Sequence, residues 1–206
     1  MSRRFVVGLA VLVLGTFISF QAAVAQQALP AGSIVIKVLT DKKVAKLPVG
    51  RPGLYWRLET FPSLAQAQAA AGPWGLAAES GGRAWLTTLG PAGGSSAGGT
   101  KVGEIGPLPA VVAPEYLLRF AVASGPPGST TVVHTHPGSM AFHVLSGEQT
   151  VRTMARVIRL SPGAGDAGPS PGTVMQVSSS GSTDLLLLVM FVLDATKPFL
   201  SHDMFP

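Results

Sequence analysis

The stretch from Gly128 to Gly147, G-S-T-T-V-V-H-T-H-P-G-S-M-A-F-H-V-L-S-G, limits the folds open to this chain more than any other. His134 and His136 are one residue apart. In an extended strand, residues i and i+2 point to the same face, so both imidazoles converge on one spot. The preceding Thr130, Thr131, Val132 and Val133 are β-branched or strand-favouring and read as strand. Pro137-Gly138 reads as a turn, and Met140 to Leu145 as a second strand stopped by Ser146-Gly147. The rest of the chain is punctuated in the same way. Its 25 glycines and 17 prolines separate many short apolar runs, a pattern that points to an all-β barrel or sandwich.

The spacing is Gly, five residues, His-x-His, three residues, position 140, six residues, Gly. It resembles the first motif of the cupin superfamily, G-x5-H-x-H-x(3,4)-E-x6-G, with Met140 where the family has glutamate. The family's second motif, G-x5-P-x-G-x2-H-x3-N, is similar to Ser170-Pro171-Gly172-Thr173-Val174-Met175-Gln176-Val177-Ser178-Ser179. Here the family histidine falls on Met175 and the asparagine on Ser179. The proline position falls on Ser170, and the leading glycine is displaced to Gly163 or Gly165. The resemblance implies an antiparallel jelly-roll (cupin) barrel. It also implies a metal site changed from three His and one Glu to His134, His136, Met140 and Met175.

With 206 residues, one folded unit with a sizeable core is expected. There is no cysteine, which excludes disulfides and thiolate ligands. Arg3 and Arg4, the apolar run Phe5 to Phe20 and the small-residue site Ala23-Val24-Ala25 read as a signal peptide over residues 1–25. Sixteen apolar residues are short for a retained span, so no membrane segment is expected after cleavage. The chain carries a formal charge of +5; setting Arg3 and Arg4 aside leaves 13 basic against 10 acidic residues, a net of +3. The basic residues are scattered apart from Lys42, Lys43 and Lys46, which excludes a nucleic-acid footprint.

Residues 26–112 are expected to supply extra N-terminal strands, one helix and a Gly-rich loop packed on a barrel core of residues 113–196. Ser33 to Leu39 is a β-rich run suited to a barrel edge, and Leu54 to Glu59, Arg83 to Leu89 and Glu115 to Ala123 read as strands. Ser63 to Ala71 reads as a short alanine helix capped by Ser63 and stopped at Gly72-Pro73. Gly90 to Gly103 is a low-complexity loop, either a plain surface loop or a flap over the barrel mouth. Further strands are expected at Gln149 to Thr153, Arg156 to Leu160 and Thr173 to Ser178. Leu185 to Leu193, nine apolar residues between Asp184 and Asp194, reads as a buried strand. The tail, residues 197–206, reads as a disordered or loosely docked end.

Thioether sulfur is a soft ligand that selects copper(I), so the His/Met set favours copper. Family analogy favours manganese, iron or zinc, and a vestigial site would hold no metal. Strand alternation puts His143 on the face opposite Met140, outside such a site. No paired carboxylates, nucleophile elbow or phosphate loop is present, so no catalytic residue is assigned. The expected function is an exported barrel, periplasmic or extracellular, that binds a metal ion or small ligand. The alternatives are a metal-dependent oxygenase or isomerase acting on a small polar substrate, and a metal-free structural barrel. A small-molecule ligand and a homodimeric state are left open as partners. Mass spectrometry of protein recovered from its producing cells should give an N-terminus at or near Gln26; an intact Met1 on membrane-embedded protein refutes cleavage.

Overall fold

A computed structural model describes residues 32–205, so the leader expected at residues 1–25 lies outside the described residues. In order, the chain forms β1 (Val35–Val44), β2 (Tyr55–Phe61), α1 (Leu64–Ala70), β3 (Gly75–Ser80), β4 (Arg83–Gly90), β5 (Thr100–Ile105), β6 (Tyr116–Gly125), β7 (His134–Thr135), β8 (Gly138–Ser146), β9 (Gln149–Thr153), β10 (Val157–Leu160), β11 (Gly165–Ala167), β12 (Met175–Ser179), β13 (Leu185–Asp194) and β14 (Ser201–His202). Every pairing between these strands is antiparallel. Three sheets result: a central sheet β1-β6-β13-β8-β11, a histidine sheet β10-β9-β12-β7-β14 and an outer sheet β3-β4-β2-β5.

The central and histidine sheets enclose one apolar core and form the jelly-roll barrel. Alternation along β13 explains its unbroken apolar sequence. Leu187, Val189 and Phe191 point into the barrel toward Val151, Met175 and Val177. Leu188, Met190 and Val192 point outward and pack under Trp56, Leu58 and Trp85 of the outer sheet. A strand covered on both faces has no polar side to show. On the far face of the outer sheet, Ala67 of α1 packs against Phe61, Ala84 and Leu86. The Ser63 hydroxyl caps α1 by accepting from the Gln66 N–H at 3.3 Å. Seven residues would not stay helical alone; the packing holds them.

The Gly-rich segment lies on that same far face, which excludes a flap over the barrel mouth. Two carboxylates fasten it. Buried Glu59 accepts from the Ser96 N–H and hydroxyl, each at 2.7 Å, and pairs with Arg57 Nε at 3.0 Å. Burial pushes the Glu59 carboxyl up, and the bonds from Ser96 and Arg57 outweigh it, leaving the group below the usual carboxylate range. Glu104 accepts from the Gly93 N–H at 3.0 Å. The end of the segment is also more regular than expected, because Thr100 to Gly103 belong to β5.

Two further expectations change. The run Thr130 to Val133 is not regular strand; β7 is limited to His134–Thr135. The Thr131 hydroxyl accepts from the Val177 N–H at 3.0 Å, so its side chain takes over a ladder position. The tail is docked: β14 pairs with β7, and the Asp203 N–H donates to the Val133 carbonyl at 3.0 Å. The barrel sheets therefore draw on β1 and β14 as well as on residues 113–196. Pro137-Gly138 does more than turn the chain. A Cβ at Gly138 would collide with the Val192 carbonyl oxygen and lie 2.6 Å from Leu193 Cα, so only glycine lets β8 lie this close to β13. Among the described residues no helix is long and apolar enough to cross a membrane.

Leu188 is fully buried on the outward face of β13. Leu188→Ala should therefore lower the unfolding free energy by roughly 2–5 kcal/mol in urea titrations. A change below about 0.5 kcal/mol, normal for a solvent-facing residue, would contradict the layering.

Candidate metal centre

β7 is only two residues long, yet it positions the centre of the site. Met175 of β12 and His202 of β14 flank His134 in register. His136 follows on the same inward face. Met140 enters from β8 on the central sheet, opposite Phe191 of β13. His134, His136, Met140 and Met175 are all buried, at 5%, 4%, 2% and 1% exposure. Together with Phe142, Phe191 and other apolar side chains they line one cavity of about 20 Å³. That volume admits one sphere the size of a water molecule. The cavity is not sealed, since Ile36, which lines it, is 39% exposed. Gly168 makes room for Met140: a Cβ there would approach Met140 Cγ to 2.8 Å.

The two imidazoles meet edge to face with centroids 4.8 Å apart. His134 Nδ1 lies 2.7 Å from the Val132 carbonyl oxygen, and His136 Nδ1 lies 2.7 Å from that of Phe199. A carbonyl can only accept, so both Nδ1 atoms carry the proton and both Nε2 atoms keep a lone pair. This is how proteins orient metal-binding histidines. Burial pushes the His134 pKa below its ordinary value, partly offset by the bond to Val132. For His136 burial brings it down to about 4, against the opposing bond to Phe199. Both rings are neutral donors at pH 7.

His143 does not join them. It lies on the outward face of β8, opposite Gly165 and Leu188, and is covered from the side of Gly103 in β5. Asp166, opposite Phe142, faces the interior and burial pushes its carboxyl up, but it does not line the cavity. Among the described residues no group of three or more His, Cys, Asp or Glu is placed to hold an ion. The available donors are two imidazole nitrogens and two thioether sulfurs. That set fits a soft ion and lacks the carboxylate that suits manganese or iron.

Sequence reasoning missed the residues that support His136. Phe199 gives it the carbonyl and also packs its ring 4.9 Å from the imidazole and 5.1 Å from Phe191. The Arg119 guanidinium covers Phe199 at 4.8 Å and is held by the Asp41 carboxylate at 2.7 Å. The tail that carries Phe199 shows no strand pattern, so nothing local marked it.

These pKa directions give stability a pH dependence. The unfolded chain protonates His136 near pH 6.5, while the folded chain resists down to about 4. The native state is thus fully favoured above pH 6.5 and loses roughly 3 kcal/mol as pH falls from 6.5 to 4. His134 acts in the same direction. Urea midpoints should fall over this window, and His136→Phe should flatten the fall; an equal slope in the variant would refute burial of a neutral ring.

No family model matches the sequence, and no curated protein matches it. Solved structures overlay parts of it. A candidate sugar phosphate isomerase of Acidithiobacillus ferrooxidans shares 25% identity over 36% of this chain, with a TM-score of 0.33. The overlay spans about half, 49%, of that protein's length. An uncharacterized protein with a double-stranded β-helix domain from Klebsiella pneumoniae shares 24% over 43% of this chain and 76% of its own, with a TM-score of 0.37. A cupin 2 domain-containing protein of Halorhodospira halophila shares 20% over 42% and 59%, also at 0.37. The chain's own features establish its fold: motif spacing from Gly128 to Gly147, two antiparallel sheets around one core, and a histidine pair facing inward. In fold, the chain is an all-β, antiparallel jelly-roll barrel.

Proposed function

We propose that the barrel is a binding module that holds one soft metal ion, copper(I), between His134, His136, Met140 and Met175. The supporting observation is the cavity itself: all four donors line one space of about 20 Å³. Sites for organic molecules usually enclose roughly 300–1,000 Å³. An ion fits a space this small, and a sugar or an acid does not. The oriented tautomers support the same reading, because each histidine offers Nε2 and fixes Nδ1 on backbone.

An oxygenase or isomerase would need a group to move protons beside the substrate. No carboxylate lines the cavity, and His143 faces the other layer. Binding therefore ranks ahead of turnover. Export, which rests on residues 1–25, would deliver the module to a compartment where methionine-rich copper sites are chemically suited.

Copper(I), added under reducing conditions at a hundredfold excess over its dissociation constant, should stabilise the protein by roughly 2.7 kcal/mol. For a domain this size the melting temperature should rise by about 5–10 °C. Zinc and manganese should do less. His134→Ala should abolish the copper shift and leave the metal-free protein folded, and Met140→Glu should move the preference toward manganese or iron(II). If no metal shifts the wild-type protein, the four residues serve only as core and the barrel is a metal-free domain.

A further inference from the structure

The C-terminal tail brings a fourth histidine to the site's edge. Ser201 pairs with Thr135 and His202 pairs with His134, while the Asp203 N–H donates to the Val133 carbonyl. Residues directly opposite on antiparallel strands project to the same face, with Cβ atoms about 5 Å apart. Met175 is paired with His134 on its other side. Met175, His134 and His202 therefore form one row across the histidine sheet, all on the face that lines the cavity at the first two positions. The row ends in solvent, because β14 is the edge strand and His202 is exposed. His134 and His136 each fix Nδ1 on a carbonyl; among the described residues no hydrogen bond holds the ring of His202. Its backbone is thus fixed and its ring is free to change rotamer.

We propose that His202 is the third nitrogen donor of the site, carried in by the tail and turned onto an ion bound at His134 and His136. This rests on the metal-binding reading above. Two thioethers are weak donors, and a third imidazole, brought from its exposed position by a change of rotamer, would raise the nitrogen count. Its exposed position also makes it the donor that an ion arriving from solvent meets first.

Silver(I) is a redox-stable, diamagnetic soft ion and serves as the probe. Long-range ¹H–¹⁵N spectra of the wild-type protein, titrated with silver(I), should show ring-nitrogen shifts at His134, His136 and His202, with His143 unchanged. His202→Gln should weaken copper(I) binding at least tenfold in competition with a chromophoric chelator, the scale expected for losing a supporting group at a metal site. The metal-free variant should melt with the wild type, since the side chain is exposed. Shifts confined to His134 and His136, or an unchanged affinity in His202→Gln, overturn the role of His202 and leave the four-residue site standing. No shift at any of the four rings overturns the metal site, and His202's part with it.

Discussion

Leu187, Val189 and Phe191 press into the barrel while Leu188 and Met190, one residue away, press against the tryptophans of the outer sheet, and every other layer takes its place from that strand. Because β13 is covered on both faces, it cannot slip by one residue without exchanging its two apolar faces. Its register then sets the inner wall of the site. Phe191 stands between Arg119 of β6 and Met140 of β8, and Asp41 extends the row on β1. The facing row on the histidine sheet is Met175, His134 and His202. The cavity lies where the Phe191 and Met140 part of one row faces the Met175 and His134 part of the other, and Phe199 packs between His136 and Arg119.

The same arrangement settles the electrostatics. Charged groups stay at the margins, in the Asp41–Arg119 pair and in the Glu59–Arg57–Ser96 cluster two layers away. The cavity is lined by imidazoles, thioethers, Thr131 and hydrocarbon, with no carboxylate or ammonium among them. A cation entering this space meets lone pairs but no anion, which disfavours hard ions that require carboxylate and leaves soft donors in control.

Much of this was legible in the residues, and the parts that were not share a cause. His-x-His between β-branched residues and a Pro-Gly pair is a local signal, and the structure turns both rings inward as alternation requires. The apolar run of β13 was equally plain, although its reason, a second layer on the outer face, was not. Strands β3 and β5 carry Gly-Leu-Ala-Ala and Thr-Lys-Val-Gly, which have little strand character of their own; pairing with β4 and β2 makes them strands. β14 and the carbonyl of Phe199 could not be read at all. Backbone groups have no sequence signature, and the contact between residues 136 and 199 spans 63 positions.

That last point bears on how such a site can change over generations. The two groups that aim the histidines, the carbonyls of Val132 and Phe199, are main-chain atoms and survive any substitution at their own positions. Inheritance can therefore vary the donors at 140 and 175 one at a time without losing the orientation of the imidazole pair. If the site binds a metal as proposed, the barrel is a socket whose selectivity rests on the side chains at 140 and 175. Changes at these two positions would then alter the donor set while the aim of the imidazole pair stays in the main chain.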